Sequence, residues 1–320
     1  MTSKLLQHGD LPAMLIQQLE DNWGLSNTDT VPPEAWGPFT CLITNGETRI
    51  DAALMDKLPA LEHIAVFGVG YDQVDISAAC ARDIAVSHTP GVLTDDVADM
   101  AIGMMIACGR QIVGAQKFIE AGQWPNTRYP LTRGFSGARL GILGMGRIGE
   151  AIALRASVMN MTIGFFDPMA RGTYAWQPYD TLAELASHSD FLMVCVPGGA
   201  STRGMVDSAI LAALGPEGIL INISRGSVVD EPALINALEQ GVIAGAGLDV
   251  FACEPHVPAA LQGCNNIVLT PHMASSTWQT REAMSGLVID NVRAGLLGAP
   301  LITPVPESRR TLVQKVSPAG

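Results

Sequence analysis

Short apolar runs alternate with stretches of helical length along almost the whole chain. Strands joined by helical crossovers lie parallel in one sheet with helices on both faces, so this alternation predicts an α/β fold of doubly wound parallel sheets. At roughly 150 residues per domain, the 320 residues predict two domains, each Rossmann-like or flavodoxin-like.

The predicted strands fall into two series. The first is 41–44, 63–67 and 84–87, and the second is 139–143, 161–166, 190–196, 218–223, 244–251 and 266–270. The six strands of the second series are the number expected of a complete dinucleotide-binding domain. We therefore predict one domain of residues 1–99 and 288–320 and a Rossmann domain of the dinucleotide-binding type of residues 100–287.

Two long helical stretches lie near these boundaries. The stretch from Asp95 has acidic residues at its start and apolar residues all round, which predicts a buried helix that connects the domains. The stretch 277–297 is long enough to run back to the first domain. The final tail, with Arg309, Arg310 and Lys315, is expected to be a surface extension.

The charge balance excludes two classes of partner. Nineteen Lys and Arg residues against 31 Asp and Glu residues give a net charge of −12, with no basic run. Such a chain repels phosphate backbones and anionic bilayers, so we expect neither a nucleic-acid nor a membrane partner. No apolar run approaches the roughly 20 residues of a bilayer-spanning helix. The residues before Pro12 lack the apolar region of a secretory signal.

Six cysteines are scattered singly along the chain, with no C-x-x-C pair and no neighbouring cluster of cysteine and histidine. This pattern predicts reduced thiols in the cytoplasm rather than a disulfide framework, and it predicts no metal site. The cysteines are Cys41, Cys80, Cys108, Cys195, Cys253 and Cys264.

The sharpest local signal is the glycine pattern Gly144-Met-Gly-Arg-Ile-Gly149, which follows an apolar strand and opens a helix. Gly144, Gly146 and Gly149 permit a tight turn, a close approach of the backbone to a pyrophosphate, and close packing of helix on strand. The helix N-terminus presents unpaired N–H groups to the phosphates. The pattern therefore predicts a dinucleotide cofactor.

The next predicted strand ends at Asp167, near the place where an acidic residue binds the adenosine ribose hydroxyls. A carboxylate there repels a 2′-phosphate, so Asp167 favours NAD(H) over NADP(H). Because Arg171 follows closely, use of NADP(H) stays an open alternative.

Charged residues follow three successive strands of the second series. Arg225 follows one strand, Asp249 and Glu254 lie in and after the next, and His272 follows the last. Each of them alone could be an ordinary loop residue. Because the carboxyl ends of parallel strands meet at one edge, Arg225, Glu254 and His272 can converge on one crevice. Such a set can hold a substrate and manage one proton beside a nicotinamide.

With these residues the sequence resembles the D-isomer-specific 2-hydroxyacid dehydrogenase family, and most closely its hydroxypyruvate and glyoxylate reductase branch. The resemblance covers roughly residues 40–305. The matching stretches are Phe67-Gly-Val-Gly-Tyr-Asp72, Thr89-Pro-Gly-Val-Leu-Thr-Asp-Asp-Val-Ala-Asp99, Gly144-Met-Gly-Arg-Ile-Gly149, Asn222-Ile-Ser-Arg-Gly226, Gly247-Leu-Asp-Val-Phe251 with Glu254-Pro255, and Thr270-Pro-His-Met-Ala-Ser275.

The resemblance implies a catalytic triad of Arg225, Glu254 and His272. Arg225 would hold the substrate carboxylate through its planar guanidinium and polarise the ketone. His272 would donate a proton to the ketone oxygen in reduction and accept it in the reverse direction. Glu254 would orient the imidazole and favour its charged form, so reduction should fade at high pH.

The resemblance also implies the remaining contacts of substrate and cofactor. Backbone N–H groups of Val69 and Gly70 would complete the carboxylate site formed by Arg225 and His272, so the active site is expected in an interdomain cleft that closes. Besides the glycines and Asp167, the implied cofactor contacts are Arg147, Ile148, Pro197, Ile223, Ser224, Asp249, His272 and Ala274.

The predicted function is the NAD(P)H-dependent reduction of a small 2-keto acid, hydroxypyruvate or glyoxylate, to the D-2-hydroxy acid. A larger 2-keto acid, such as hydroxyphenylpyruvate or 2-ketogluconate, stays open as the substrate, and so does phosphite oxidation, which keeps the same triad. An NAD(H)-sensing, corepressor-like binding protein is the alternative from a different class. The resemblance further implies a homodimer built through the region near 100–135.

Overall fold

The computed structural model describes residues 4–170, 174–264 and 266–308. By its internal contacts the chain divides into two compact units, Met1–Leu93 with Ser276–Gly320 and Thr94–Ser275. The predicted domain boundaries after residues 99 and 287 stay a prediction. Four residues discussed above lie outside the described residues, namely Arg171, Arg309, Arg310 and Lys315.

The first unit is built on one parallel sheet. Its elements before residue 93 are β1 (Leu5–His8), α1 (Ala13–Trp23), β2 (Ser26–Asn27), β3 (Cys41–Asn45), α2 (Ala52–Met55), β4 (His63–Phe67), α3 (Ile76–Ala81) and β5 (Ala85–Ser87). The strands lie in the order β2-β1-β3-β4-β5, and every pair is parallel. This is the flavodoxin-like order of a doubly wound sheet.

The three strands predicted in this unit are confirmed, and two more were missed. All residues of β4 are buried, as expected of a central parallel strand with helices on both faces. The missed strand β1 is short and half polar, and its buried Gln7 satisfies its amide by donating from Nε2 to the Gly9 carbonyl at 2.9 Å. The missed strand β2 has only two residues, both polar. Neither strand has the apolar run by which the others were found.

The second unit is a larger parallel sheet with helices around it. Its elements are α4 (Thr94–Gly109), α5 (Ile112–Glu120), β6 (Arg139–Leu143), α6 (Arg147–Val158), β7 (Thr162–Phe166), β8 (Gln177–Pro178), α7 (Leu182–Ser187), β9 (Phe191–Val194), α8 (Ser208–Leu214), β10 (Ile219–Asn222), α9 (Glu231–Glu239), β11 (Gly245–Leu248), α10 (Ala259–Gly263) and β12 (Ile267–Leu269). The strand order is β12-β11-β10-β9-β6-β7-β8. Numbered from its own first strand, this is the Rossmann order 3-2-1-4-5-6 with one strand added.

All six strands predicted in this unit are present, so the prediction of an α/β fold with doubly wound parallel sheets is confirmed. One further strand, β8, was missed because it has two residues and one is Pro178. Proline lacks the N–H that a central strand needs, and it is tolerated here because β8 pairs only with β7 at the edge of the sheet.

Helix α4 packs against α6 and against β10, β11 and β12. The predicted helix is present, and its fully buried residues fall on one face. On the exposed face Asp95 and Asp99 accept hydrogen bonds from Arg155 of α6 at 2.9 and 2.6 Å. No single helix among the described residues is long and apolar enough to cross a bilayer, although α4 and α5, bent by 55°, meet the length and composition criteria together.

The last helix, α11 (Trp278–Leu296), belongs to the first unit, where it packs on β4 and α1. The Thr277 side chain begins it by accepting the Thr280 N–H at 3.2 Å. Near its end Gly295 lies so close to the sheet that a Cβ there would be 2.8 Å from Nδ1 of His63. The helical stretch predicted at 277–297 is therefore confirmed.

Candidate functional site

The sequence-predicted residues of the second unit lie at the carboxyl edge of its sheet. Gly144 follows β6, Asp167 follows β7, Arg225 follows β10, Asp249 follows β11 and His272 follows β12. Ligands of open parallel sheets bind at this edge, because the loops and helix N-termini there face one crevice.

The three glycines after β6 have three different surroundings. Gly144 has φ +99°, and a Cβ there would lie 2.8 Å from the Val196 nitrogen. Both the backbone conformation and the lack of space therefore require glycine at this position. A Cβ on Gly149 would lie 2.2 Å from the Gly144 carbonyl oxygen, which shows how closely α6 packs on the turn. A Cβ on Gly146 would meet no atom within 4 Å. Gly144 is therefore needed for the turn and Gly149 for the packing of α6, whereas the surface at Gly146 is open to a ligand.

Helix α6 begins directly at this turn, with Gly146 as its N-cap. The N–H groups of Arg147 and Ile148 are in the first turn, where no preceding turn supplies carbonyl acceptors. Together with the open surface at Gly146, they form a cradle of the kind that holds a pyrophosphate. The residues present therefore fit a dinucleotide.

Asp167 lies beside this cradle. Its Oδ2 accepts the Met145 N–H at 2.8 Å and its Oδ1 accepts the Met169 N–H at 2.8 Å. Each carboxylate oxygen can accept more than one hydrogen bond, so ribose hydroxyls can still donate to it. Tyr174, which the sequence analysis missed, lies on the same loop, with its hydroxyl 3.5 Å from the Met145 carbonyl.

The other predicted cofactor contacts lie at the same edge. Pro197 follows β9 and is exposed, and its carbonyl accepts a hydrogen bond from Oγ1 of Thr202 at 2.7 Å. Ile223, after β10, and Ala274, after β12, are both buried. Of these three side chains, only Pro197 faces solvent.

Glu254 and His272 form a close pair. Oε2 of Glu254 lies 2.7 Å from Nδ1 of His272, and Oε1 accepts the Phe251 N–H at 2.8 Å. Burial alone would raise the pKa of Glu254. The hydrogen bond and charge of His272, the Phe251 N–H and the charge of Arg225 outweigh burial, so the pKa of Glu254 lies below its ordinary value. Because an ionised carboxylate only accepts, Nδ1 of His272 carries a proton, and Nε2 is the atom that can exchange one with a substrate.

The backbone that carries His272 is held in an uncommon conformation. His272 has φ +47°, in the left-handed region. Its N–H donates to the Asp249 carbonyl at 2.8 Å, and the N–H groups of Met273 and Ala274 donate to Oδ1 and Oδ2 of Asp249 at 2.8 and 2.9 Å. Asp249 is fully buried, and its Oδ1 also accepts a hydrogen bond from the hydroxyl of Thr270 at 2.7 Å. Asp249 therefore fixes the His272 loop, while its predicted contact with nicotinamide stays a prediction.

Arg225 lies on a loop ordered by Asn222, a buried residue whose role the sequence analysis missed. Nδ2 of Asn222 donates to the Arg225 carbonyl at 2.9 Å, and Oδ1 accepts the N–H and the hydroxyl of Ser224, both at 3.1 Å. After Arg225, a Cβ on Gly226 would lie 1.9 Å from the Phe251 carbonyl carbon. The loops that carry Arg225 and Glu254 are thus in direct backbone contact.

Val69 and Gly70, the predicted substrate contacts of the first unit, lie half-buried in the loop after β4. Among the described residues, neither N–H has a hydrogen-bond acceptor. Backbone N–H groups without an acceptor in the protein can donate to an anion. Their role in holding a substrate stays a prediction.

Three of the six cysteines are poor candidates for nucleophilic chemistry. All six are unpaired thiols. Burial raises the pKa of Cys41 and Cys195 far above the ordinary value, and it raises the pKa of Cys108 to about 12. A protonated, buried thiol is not a nucleophile at neutral pH.

Comparison with known proteins gives a consistent result for sequence and structure. A family model described as D-isomer specific 2-hydroxyacid dehydrogenase, NAD binding domain, matches residues 102–274. The chain is 44% identical over 264 residues to a hydroxyphenylpyruvate reductase of Plectranthus scutellarioides, covering 82% of this chain and 84% of that one. It is 42% identical over 281 residues to a 2-ketogluconate reductase of Gluconobacter oxydans, covering 88% and 89% of the two chains.

A solved structure similar to this chain is an NADPH-dependent glyoxylate/hydroxypyruvate reductase of Sinorhizobium meliloti in complex with NADP and malonate. The two chains superpose with a TM-score of 0.90 at 40% identity, over 95% of this chain and 97% of the other. The three similar proteins differ in the 2-keto acid that their names state.

Proposed function

This chain belongs to the D-isomer specific 2-hydroxyacid dehydrogenase family, and we propose that it reduces a small 2-keto acid, hydroxypyruvate or glyoxylate, to the D-2-hydroxy acid. It is an oxidoreductase that binds NAD(P). The observation that carries the proposal is the hydrogen bond of 2.7 Å between Glu254 and His272, at the same sheet edge as the glycine turn.

In this proposal, His272 supplies the proton. With Nδ1 bonded to Glu254, the imidazolium donates from Nε2 to the ketone oxygen during reduction and takes the proton back in the reverse direction. The lowered pKa of Glu254 keeps the carboxylate ionised, so that it stabilises the charged ring.

Arg225 holds the substrate carboxylate through paired N–H groups and polarises the ketone. Val69 and Gly70 are proposed as further donors to the same carboxylate. The close contact of Gly226 with Phe251 holds the Arg225 loop beside the Glu254 loop, so the two side chains keep a fixed relation.

The cofactor, when bound, supplies the hydride for reduction. We propose that Gly144, Gly146, Arg147, Ile148 and Gly149 hold its pyrophosphate. We propose that a second group of residues contacts the rest of the cofactor, namely Pro197, Ile223, Ser224, Asp249, His272 and Ala274. Asp167 is proposed to accept the ribose hydroxyls, which favours NAD(H), with NADP(H) as the alternative. Comparing kcat/KM for NADH and NADPH in the wild type and in Asp167→Asn tests this, because removing the negative charge should improve NADPH relative to NADH.

A larger 2-keto acid is the second candidate substrate. It is favoured by the identity to reductases named for hydroxyphenylpyruvate and 2-ketogluconate. Phosphite oxidation has no comparable support among the similar proteins described above.

The experiment is a measurement of NADH consumption with a panel of 2-keto acids of increasing size. Turnover with glyoxylate and hydroxypyruvate at higher kcat/KM than with the larger acids supports the proposal. Arg225→Ala should lower kcat/KM by at least a thousandfold while its thermal unfolding stays unchanged. The control Arg82→Ala, at an exposed position, should leave kcat/KM unchanged. Absence of turnover on every acid, with NADH bound tightly, would contradict the proposed reaction.

We also propose a homodimer in the cytoplasm. The region after α4 exposes five large apolar side chains, which are Ile112, Val113, Ile119, Trp124 and Leu131. Such a patch is typical of a protein interface, and six unpaired thiols are typical of a reducing compartment. Ile119→Asp combined with Leu131→Asp should shift sedimentation from dimer to monomer, and Val158→Asp, at an exposed position of α6, should not.

A further inference from the structure

The N–H groups of Val69 and Gly70 belong to the backbone, so the directions in which they point depend on the peptide planes of the loop. The peptide that joins Val69 to Gly70 is trans, because the only cis peptide among the described residues is Glu254–Pro255. In a trans peptide the C=O and the N–H point in opposite directions within one plane. Whatever fixes the Val69 carbonyl therefore also fixes the Gly70 N–H.

The Val69 carbonyl is fixed by a histidine. Nδ1 of His88 lies 2.9 Å from the Val69 oxygen. A carbonyl only accepts, so Nδ1 of His88 carries the proton and donates it. The imidazole thus pulls the Val69 oxygen to one side of the loop and turns the Gly70 N–H to the other.

The backbone and the ring of His88 are both fixed by neighbouring residues. Its N–H donates to the Thr303 carbonyl at 3.1 Å, and its carbonyl accepts Oγ1 of Thr303 at 2.5 Å. Thr303 in turn is bonded to Asn291, a buried residue of α11, whose Oδ1 accepts the Thr303 N–H at 3.0 Å. The Tyr71 ring packs edge-on against the imidazole, with 5.2 Å between centroids and 87° between planes. The ring is therefore placed by the fold.

We propose that His88 is a positioning residue that aims the Gly70 N–H at the carboxylate of the substrate. This rests on the proposed function, in which Val69 and Gly70 bind that carboxylate. His88 acts through the backbone and does not touch the reacting atoms. Its effect should therefore appear in substrate affinity and leave the hydride and proton transfers largely unchanged.

The test compares three variants by steady-state kinetics with glyoxylate and hydroxypyruvate. His88→Leu removes the donor, and His88→Asn restores an N–H donor near the position of Nδ1. A charge-assisted hydrogen bond of this type is worth about ten- to a hundredfold in affinity. His88→Leu should raise KM for the keto acid by about that factor. Its kcat should stay within about threefold of the wild type, and its KM for NADH should be unchanged. His88→Asn should restore KM for the keto acid toward the wild-type value.

His188→Leu is the matched control. Nδ1 of His188 also lies 2.9 Å from a backbone carbonyl, that of Glu184, and its ring also packs on a tyrosine, Tyr179, at 5.2 Å. His188 lies after α7 in the second unit. Loss of a histidine with the same local contacts should leave both KM values unchanged.

Oxalate binding, measured by calorimetry with and without NADH, separates failure of this proposal from failure of the proposed function. If the wild type binds oxalate but reduces no keto acid, the proposed function fails, and His88 is then judged by whether His88→Leu weakens oxalate binding by the same factor. Unchanged KM and oxalate affinity in a folded His88→Leu protein overturn the role of His88. A fall in kcat at unchanged KM, or a wild type that binds no oxalate, overturns it as well.

Discussion

His272, the proposed proton donor, has a backbone conformation that residues other than glycine seldom adopt. Such a conformation costs of order 1–3 kcal/mol and persists only where the surroundings enforce it. Here the surroundings are one buried carboxylate, Asp249, with two backbone N–H groups and one hydroxyl as donors. The position of the imidazole therefore depends on a residue that the substrate need not touch.

Asp249→Asn tests this dependence. The amide has one accepting oxygen in place of two, so one of the N–H groups of Met273 and Ala274 loses its acceptor and the loop relaxes. Because a displacement of about 1 Å can cost a hundredfold in rate, we expect kcat to fall by about that factor. Thr270→Val, which removes only the hydroxyl donor, should cost much less. Equal kcat in Asp249→Asn and the wild type would show that the loop holds His272 without this carboxylate.

At the scale of elements, the site depends on contacts between loops that follow neighbouring strands. Gly226, which follows Arg225, leaves no room for a Cβ because the Phe251 carbonyl lies against it. Phe251 also donates its N–H to Glu254. One backbone contact therefore sets the separation of Arg225 from the Glu254 and His272 pair.

Gly226→Ala should separate these loops. The added carbon would lie 1.9 Å from backbone rather than from a flexible side chain, so the loops must move. We expect a loss of about 1–3 kcal/mol in the free energy of unfolding and a larger fractional loss of kcat/KM. Gly103→Ala, at an exposed helical position with nothing within 4 Å, is the control and should be neutral or slightly stabilising. Full activity in Gly226→Ala would contradict the inferred contact.

The sequence predicted the strands with apolar runs, both sheets and the residues after the strand ends. It missed β1, β2 and β8, which are short or polar and are held mainly by pairing with a neighbour. It also missed Asn222, because a buried amide that bonds its own loop has no signal in a linear motif. The role of Asp249 in holding the His272 loop was also missed, because the donors to its carboxylate lie 21 to 25 residues away in the chain. Periodicity indicates burial, whereas such pairings depend on tertiary contacts.

His63 of β4 shows how one element makes stability depend on pH. It is buried between Cys41 and Ser87 with Gly295 of α11 against it, and burial lowers its pKa from 6.5 to about 4. The unfolded chain therefore binds a proton between these two values that the folded chain does not. The contribution of His63 to stability is therefore fully present above pH 6.5 and is lost as the pH falls toward 4.

The urea midpoint should therefore decrease when the pH is lowered from 7 to 5, and this histidine accounts for about 3 kcal/mol over its full titration range. His63→Gln should reduce that pH dependence, even if it lowers stability at neutral pH. His188→Gln, at an exposed position, should retain it. A pH dependence unchanged by His63→Gln would assign the acid sensitivity to other groups.

For the whole molecule, the net charge of −12 opposes the anions that the proposed reaction needs. The groups that we propose to bind anions must therefore act locally: Arg225 and His272, the N–H groups of Val69 and Gly70, and the start of α6. Their interactions are short-ranged and partly shielded from salt. The repulsion from the remaining acidic residues acts through solvent over longer distances and is screened.

This difference in range predicts how salt affects substrate binding. Raising ionic strength from about 0.01 M to about 0.1 M shortens the screening length from roughly 30 Å to roughly 10 Å, which removes most of the long-range repulsion and little of the local attraction. KM for glyoxylate should therefore fall modestly or stay flat. Chloride and acetate salts should be compared, because an anion that competes for Arg225 would raise KM in a salt-specific manner. A steep rise in KM that is equal in both salts would mean that positive potential around the site outweighs the net charge of the chain.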